Sequence, residues 1–339
     1  MRRFLVLLTL LSLLLTGCAM QSASDASGTM SVHFIDVGQA DSALLECNGQ
    51  YVLIDGGNVA DGDNVVNYLL NAGVKELAAV FCSHAHEDHV GGLAAVLEAI
   101  PTKAVYAPTR TYSSNCFDKF VYYVDQQRLS IEIPTPGTSL SYGDLSVTVL
   151  GPLKSYPETN DTSLVLMVRF GDTRFLFTGD MERTAEIDLL DANVTVKADV
   201  LKVGHHGSNT STSYRFLYEV DPSYAVISVG KDNDYGHPHE EPMSRLHDAE
   251  VPVYRTDLLG TIVAVSDGEN ITFSWDNKGS EPDIPVSSPS QNKYIGNQSS
   301  KVVHVPSCSS LPAEKNRVYF DSFAAAEKEG YHPCSRCLE

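Results

Sequence analysis

The stretch Ser83-His84-Ala85-His86-Glu87-Asp88-His89 decides the fold of this chain. It follows an apolar segment, Leu77 to Cys82, and precedes Gly91-Gly92, so the sequence predicts a strand, a turn and the start of a helix. Imidazoles and carboxylates are ligands that borderline divalent metals such as zinc prefer. Because so short a turn fans its side chains in different directions, we expect two neighbouring ions. One is held by His84 and His86 and the other by Asp88 and His89.

The first residues indicate an export signal rather than part of a globular core. Arg2 and Arg3 precede an apolar run from Phe4 to Leu15, which is too short to span a bilayer but suits a signal peptide. The run ends in Leu15-Thr16-Gly17-Cys18, which resembles the bacterial lipobox. We expect residues 1–17 to be a lipoprotein signal peptide and residues 18–30 a tether. The protein would be exported and held by a lipid on Cys18 at the outer face of the bacterial cytoplasmic membrane. An ordinary cleaved signal is the alternative.

Composition and charge limit the possible partners. The 339 residues are 43% hydrophobic, which suffices for one large core. Without residues 1–17 the chain carries 22 basic against 43 acidic side chains, a formal net charge of −21. Such a surface repels polyanions at long range, so a phosphate substrate must be captured by local positive charge, chiefly the metals. This weakens a nucleic-acid interpretation without excluding it.

Three later blocks place polar side chains after apolar strands. Asp180 in Thr178-Gly179-Asp180 could ligate a metal or cap the helix predicted over 181–190. His205 and His206 follow the predicted strand 199–203, and the block Asp234-Tyr235-Gly236-His237-Pro238-His239 precedes a helix predicted from about 241 to 249. A histidine at such a helix start can donate to a phosphate oxygen or a leaving group. A turn fixed by Gly236 and Pro238 is the alternative.

These blocks, together with Phe34-Ile35-Asp36-Val37-Gly38-Gln39-Ala40-Asp41-Ser42, resemble the metallo-β-lactamase superfamily. The narrower resemblance is to the soluble C-terminal domain of the competence protein ComEC. It implies an α/β fold over residues 31–276, a four-layer αββα sandwich with metals at one edge. By this resemblance Asp180 bridges both metals, His205 completes the second metal's shell, and His206 supports the loop or faces substrate. The residues expected to take part in catalysis are Asp88, Asp180, His237 and His239, with His239 slightly ahead of His237.

One departure from the family pattern concerns the first metal. Lactamase-type members supply a third histidine where this chain reads Pro157-Glu158-Thr159-Asn160-Asp161-Thr162-Ser163. Asn160 or Asp161 would ligate weakly through oxygen, or water would fill the position. Because oxygen ligands suit harder ions, manganese could replace zinc here, and the choice between Zn and Mn stays open.

The C-terminal residues form a separate pattern. Residues 277–293 are rich in Ser, Pro and acids and predict a flexible linker, followed by a small unit over 294–339. His304-x3-Cys308 and Cys334-x2-Cys337 fit one tetrahedral structural zinc. The pattern resembles the zinc-binding module of the Ada DNA-repair protein, with His304 in place of its first cysteine. A disulfide is the alternative, but it leaves one cysteine unpaired. The scattered Cys47, Cys82 and Cys116 are expected to be buried small hydrophobes.

The ComEC-like resemblance implies a hydrolase of phosphodiester bonds that uses two divalent metal ions, Zn or Mn. We expect an extracellular DNA nuclease whose substrate is DNA or another phosphodiester. We also expect the protein to be a monomer. Two alternatives remain: a phosphoesterase of surface polymers similar to pneumococcal phosphorylcholine esterase, and a non-catalytic surface lipoprotein that binds DNA. The missing third histidine disfavours a β-lactamase.

Overall fold

The computed structural model describes residues 28–285 and 294–338, apart from Ser307 and Ser322. The predicted signal peptide, Cys18 and most of the tether lie outside the described residues, as do residues 286–293 of the predicted linker. Within the described part of the chain, no helix is both long and apolar enough to cross a membrane.

Two β-sheets lie face to face and enclose the inner core. Side chains alternate along each strand, so that Phe175 and Phe177 enter the core between the sheets while Leu176 packs on the outer side. The first sheet contains, in spatial order, β15 (Ile271–Trp275), β14 (Ile262–Ser266), β1 (Met30–Phe34), β2 (Ala43–Cys47), β3 (Gln50–Ile54), β4 (Ala79–Phe81), β5 (Val105–Tyr106) and β6 (Ile131–Glu132). The second contains β13 (Val253–Arg255), β12 (Tyr224–Ile227), β11 (Val200–Lys202), β10 (Thr173–Phe177), β9 (Val165–Phe170), β8 (Leu145–Gly151) and β7 (Ser139–Tyr142).

Helices cover the outer faces of both sheets through two further apolar clusters. On the first sheet lie α1 (Gly62–Asn71), α3 (Leu93–Ala99) and α4 (Asn115–Gln126), with the single turn α2 (Glu87–Val90) beside them. On the second lie α5 (Arg183–Asp191), α6 (Tyr214–Val220) and α7 (Glu240–Asp248), and α8 (Thr256–Leu259) follows β13. The four-layer αββα sandwich predicted from the resemblance is confirmed.

Parallel strand pairs explain why the polar motifs meet. In the first sheet β3 and β4 are parallel, and in the second sheet β10, β11 and β12 are parallel. The carboxyl ends of parallel strands lie at the same edge of a sheet. The loops after these five strands therefore converge, and they carry Asp55, the stretch 83–89, Asp180, the pair His205-His206 and the segment 230–239.

A small C-terminal unit packs beside α6. Its sheet has the order β18 (Arg317–Phe320), β16 (Tyr294–Asn297), β17 (Val302–His304) and β19 (His332–Pro333), with α9 (Phe323–Lys328) alongside. The Phe323 ring meets the Tyr218 ring of α6 edge-on, with centroids 5.2 Å apart. The C-terminal unit is thus in contact with the sandwich.

The beginning of the predicted linker is held against the sandwich. The Asn277 amide donates to the Leu259 carbonyl at 2.8 Å, and Val253 and Asp283 exchange two backbone hydrogen bonds of 2.9 Å. Residues 277–285 therefore extend the large domain, which corrects the expectation that the flexible linker begins at 277. A composition rich in Ser, Pro and acids gave no signal for these backbone bonds, because they are made to distant parts of the chain.

Candidate metal centre

Two groups of metal-ligand side chains meet at Asp180. In the first cluster, His84, His86 and Asp180 have ligand atoms within 4.8 Å of one another. The second cluster meets the same criterion with Asp88, His89, Asp180 and His206. Oδ1 of Asp180 lies 3.2 Å from Nε2 of His89, whereas Oδ2 lies 3.8 Å from Nε2 of His84. Asp180 thus presents one oxygen to each cluster, which is the arrangement that a bridging carboxylate requires.

Orphaned polar atoms in this centre fit a metal. Among the described side chains, Nε2 of His89, Oδ1 of Asp180 and Oδ1 of Asn160 are buried without a hydrogen-bond partner. The first two are close to each other, yet their geometry makes no hydrogen bond. An unsatisfied buried polar atom costs about 1–3 kcal/mol. Nitrogen and oxygen lone pairs that share one space without pairing are what divalent ions would occupy, so the donor set fits the two ions predicted.

His206, rather than His205, lies in the second cluster. Nε2 of His206 lies 3.3 Å from Oδ2 of Asp88, and the residue is buried. His205 is partly exposed, and its Nε2 lies 3.6 Å from Oδ2 of Asp180, the oxygen that faces His84. Both histidines have a positive φ, 50° and 51°. This left-handed turn directs the neighbouring side chains to different oxygens of Asp180, so that His206 and not the expected His205 lies with Asp88 and His89.

A buried carboxylate stands behind His89. Nδ1 of His89 lies 2.9 Å from Oδ2 of Asp55, and Oδ1 of Asp55 accepts from the Ser83 amide at 2.6 Å. Burial opposes a charge on His89, but Asp180, Asp55 and Asp88 hold the pKa of its ring well above the usual value. The sequence marks Asp55 only by its place directly after an apolar strand, and its φ of 59° is seen only in the structure.

A series of buried polar contacts supports His206. Nδ1 of His206 donates to the Ser228 carbonyl at 3.0 Å, and Oδ1 of Asp41 lies 3.3 Å from the same nitrogen. Oδ2 of Asp41 pairs at 2.9 Å with the ammonium of Lys202, which is only 3% exposed. Burial works against a charged His206, yet Asp180 and Asp41 raise its pKa to about 10, and the same attraction for positive charge would favour a metal cation in place of the proton on Nε2. In the sequence, Lys202 stands out only as a single charged residue in an otherwise apolar strand.

The first cluster is supported differently. Nε2 of His84 lies 3.1 Å from Nδ1 of His86, and the Ser83 hydroxyl lies 3.2 Å from Nδ1 of His84. Burial, and then the neighbouring His89, hold the pKa of His84 well below its usual value. A neutral His84 keeps a lone pair that can bind a metal.

Asn160 and Asp161, the two alternatives for the missing ligand, take different roles. Asn160 lies at the centre, with Oδ1 unpaired and Nδ2 donating to Glu182 Oε1 at 3.1 Å. Asp161 turns away, and its Oδ1 accepts from the amides of Glu182 and Ala185 at the start of α5. The helix cap proposed as an alternative for Asp180 is therefore made by Asp161, because α5 begins at Arg183.

A hydrogen bond from Gln39 fixes the proton of His237. Oε1 of Gln39 accepts from the Gly230 amide at 3.0 Å, so Nε2 of Gln39 must be the donor to Nδ1 of His237 at 3.3 Å. The ring proton of His237 then lies on Nε2. Burial, followed by the neighbouring histidines, lowers the pKa of His237 to about 4. His237 is thus a neutral hydrogen-bond donor.

These side chains surround an open cavity of about 630 Å³. His237 lines it, whereas His239 stands behind, with its ring 4.7 Å from that of His237 and its Nδ1 accepting from the Asn209 amide at 3.1 Å. The order of preference between the two histidines is therefore reversed. The other residues that line the cavity are Gln39, Asn58, His86, Glu87, Asp88, Asn160, Asp180, His205, His206 and Tyr235.

A second, closed set of ligands lies in the C-terminal unit. Ligand atoms of His304, Cys308, Cys334 and Cys337 are within 4.8 Å of one another, as the tetrahedral site requires. Burial raises the pKa of Cys308, but hydrogen bonds with Ser310 outweigh it and bring the pKa to about 6. The six cysteines in the described part of the chain are free, which disfavours the disulfide alternative. Cys47, Cys82 and Cys116 are buried.

Comparison with known proteins agrees with both sites. The family described as the metallo-beta-lactamase superfamily matches residues 35–231, and the metal binding domain of Ada matches residues 288–339. ComE operon protein 3 of Bacillus subtilis (strain 168) is 34% identical over 68% of this chain and 32% of its own length. Recombination protein 2 of Haemophilus influenzae is 32% identical over 69% of this chain and 28% of its own, and competence protein ComA of Neisseria gonorrhoeae is 32% identical over 67% and 31%.

The chain spans about a third of the length of these relatives. The family matches cover both ligand sets, since the first includes the loops from Asp41 to His206 and the second includes His304 to Cys337. The chain belongs to the metallo-beta-lactamase superfamily, a metal-dependent hydrolase fold, and carries an Ada-type zinc-binding domain after it.

Proposed function

We propose that the protein hydrolyses phosphodiester bonds in DNA outside the cytoplasmic membrane. The observation that carries the proposal is the pair of ligand clusters that share Asp180 at the wall of an open cavity. Two divalent ions bound there would supply an activated water near neutral pH and would stabilise charge on the attacking and leaving oxygens. Support for DNA as substrate comes from the names of two relatives, Recombination protein 2 and competence protein ComA.

The residues of this chain have distinct tasks in that reaction. Asp180 links the two clusters, and the buried His84 and His89 would each hold one of the ions in place. The Nε2 proton of the neutral His237 can donate to a phosphate oxygen or to the leaving oxygen. His239 acts through His237, because it packs against that ring and is absent from the cavity wall among the described residues.

Electrostatics make capture of the substrate depend on the ions. The whole chain has a formal net charge of −19, and no lysine or arginine stands among the described residues that line the cavity. A polyanion approaching this surface is repelled until it reaches the metal centre. We therefore expect binding of DNA, and not only its cleavage, to be lost when the ions are removed.

The direct test is incubation of the purified mature protein with single- and double-stranded DNA in the presence of Mn²⁺ or Zn²⁺. Cleavage by the unmodified protein and its loss in Asp88→Ala are expected. Asp118→Ala is a matched control, since this carboxylate is exposed on α4 and does not line the cavity. DNA left intact with both ions, or cleaved equally by Asp88→Ala, would overturn the proposal.

Two further assays separate the alternatives. Hydrolysis of small phosphodiesters or choline-decorated teichoic acid, with DNA untouched, would indicate a phosphoesterase of surface polymers. DNA binding without turnover at full metal loading would indicate a non-catalytic surface protein.

Export and lipid anchoring are part of the same proposal. They rest on Arg2, Arg3, the apolar run and Leu15-Thr16-Gly17-Cys18 in the sequence. Cell fractionation should find the protein in the membrane fraction and the Cys18→Ala variant outside it. The variant remaining in the membrane would remove the lipid anchor from the proposal.

A further inference from the structure

The first cluster offers an ion fewer protein ligands than the second, and two further polar side chains line the cavity that both clusters share. His84 and His86 are joined there by one oxygen of Asp180. Nε2 of His205 lies 3.6 Å from that same oxygen, Oδ2. Oδ1 of Asn160 is buried, unpaired and on the wall of the same cavity. Among the described residues, the group of ligand atoms within 4.8 Å of one another contains only His84, His86 and Asp180, so one nitrogen near Oδ2 of Asp180 and one unpaired oxygen on the cavity wall remain available beside it.

One carboxylate orients both side chains. Oε1 of Glu182 accepts from Nδ2 of Asn160 at 3.1 Å and lies 3.3 Å from Nδ1 of His205. The Thr210 hydroxyl donates to Oε1 of Glu182 and can therefore only accept from Nδ1 of His205, which places the ring proton on Nδ1 and leaves the Nε2 lone pair free. Glu182 also accepts from the amide nitrogen of Asn160, which leaves Oδ1 of this cavity-lining residue without a partner. Thr210 completes the set, because its hydroxyl contacts both Glu182 and His205 at 3.1 and 3.2 Å.

We propose that Nε2 of His205 and Oδ1 of Asn160 complete the coordination of the first metal, and that Glu182 is the positioning residue that directs both toward it. This rests on the two-metal centre of the proposed function. The ion would then be held by five protein ligands, three nitrogens and two oxygens, from His84, His86, Asp180, His205 and Asn160. Such a shell is larger than the four ligands of a tetrahedral structural zinc site, and its three imidazoles with two oxygens are compatible with either zinc or manganese.

Backbone conformation supports the assignment of the adjacent histidines to different ions. The left-handed φ of His205 and His206 separates their rings, whose centroids are 6.3 Å apart. Each ring faces a different oxygen of Asp180, at 3.6 Å for His205 with Oδ2 and 3.8 Å for His206 with Oδ1. A residue other than glycine adopts this conformation only at a cost, so two in succession indicate that the surrounding structure holds them in place.

The test measures metal content in chains that retain only one ion of the pair. Asp88→Ala removes a ligand of the second ion, and His86→Ala removes a ligand of the first. Into each background we would introduce His205→Ala or Glu182→Gln, with Glu219→Gln, an exposed glutamate of α6 outside the cavity, as the matched control. Elemental analysis after dialysis and titration with Mn²⁺ followed by electron paramagnetic resonance give occupancy and affinity without any activity assay.

In the Asp88→Ala background, His205→Ala is expected to abolish binding of the remaining ion, and Glu182→Gln to weaken it by about 10–100-fold. In the His86→Ala background neither substitution should change the occupancy or affinity of the remaining ion. Glu219→Gln should leave both quantities unchanged in either background. The zinc of the C-terminal unit and the far-ultraviolet circular dichroism spectrum report that each variant is folded.

Two results would overturn the inference. Unchanged binding in Asp88→Ala combined with His205→Ala would exclude His205 from the first ion, and loss in the His86→Ala background would return it to the second ion. If the unmodified protein binds no ion beyond the zinc of its C-terminal unit, the two-metal centre of the proposed function fails as well. These outcomes are distinguishable because the unmodified protein is measured first.

Discussion

The two halves of the metal centre share Asp180 but are supported in different ways. Behind the second cluster stand two carboxylates that are almost completely buried, Asp55 at His89 and Asp41 at His206. Beside the first cluster stand a serine hydroxyl at His84 and the partly exposed carboxylate of Glu182. Carboxylates behind metal-binding histidines fix the ring and strengthen the ligand. We therefore expect the second cluster to hold its ion tightly and the first to exchange its ion.

The largest effect is expected at the residue the two halves have in common. In Asp180→Ala both clusters lose a ligand, so we expect loss of both ions and a fall in hydrolysis by at least about 10³-fold, at the upper end of what removal of one preorganised electrostatic group costs. Metal analysis and DNA cleavage would check this. One ion retained at full occupancy would show that Asp180 belongs to a single cluster.

Removing the carboxylate behind His206 should show how much Asp41 contributes to stability and to binding of the second ion. Asp41→Asn leaves the buried ammonium of Lys202 without its partner, and breaking a buried pair in this way costs about 3–5 kcal/mol. The second ion should also bind about 10–100-fold more weakly. Urea unfolding and metal titration would measure the two effects separately.

A double variant separates stability from metal binding. In Asp41→Asn combined with Lys202→Met no uncompensated charge remains, so much of the lost stability should return while the second ion stays weakly bound. If metal affinity returns along with stability, Asp41 acts on His206 only through the general integrity of the fold.

Stepwise removal of metal from the unmodified protein tests whether the second cluster binds its ion more tightly than the first. With rising chelator concentration, the first ion should leave before the second. The zinc of the C-terminal unit should leave last, because its three cysteines and one histidine form a closed site without an open position. Elemental analysis after each step gives the order. Simultaneous loss of the two central ions would contradict the difference in support.

Much of this arrangement could be predicted from the sequence, and the exceptions have physical causes. The stretch 83–89 and Asp180 follow apolar strands, and parallel pairing brings strand ends together, so both could be placed at one edge. Asp161 and Asn160 could not be told apart, because a one-residue change of phase decides which one faces the centre. Which of His205 and His206 faces the second cluster could not be predicted either, because it depends on the positive φ angles of both residues.

Long-range partners were the other element that the sequence did not reveal. Asp41 and Lys202 pair across 161 positions, from the loop before β2 to the end of β11, and neither carries a local signal of its partner. Gln39 reaches His237 across 198 positions in the same way. Such contacts depend on how the two sheets are stacked, which hydrophobic periodicity does not specify.

The smallest effect on turnover is expected at His237, which belongs to neither ligand cluster of the metal centre. Because its pKa is lowered to about 4, its ring should stay neutral from pH 5 to pH 8, with the proton on Nε2. An unfolded histidine takes up a proton near pH 6.5, so this site favours folding above that pH and loses its contribution as the pH falls toward 4.

Gln39→Leu removes the donor to Nδ1 and should release the choice of tautomer. We expect both ions to remain bound and the turnover rate to fall by about 10-fold, less than the 10²–10⁴-fold that a positioned acid or base contributes, because the ring itself stays in place. Nitrogen-15 chemical shifts of the ring report the tautomer directly. An unchanged Nε2 tautomer in Gln39→Leu would mean that the neighbouring His239 and His205 rings, and not Gln39, hold the proton where the substrate needs it.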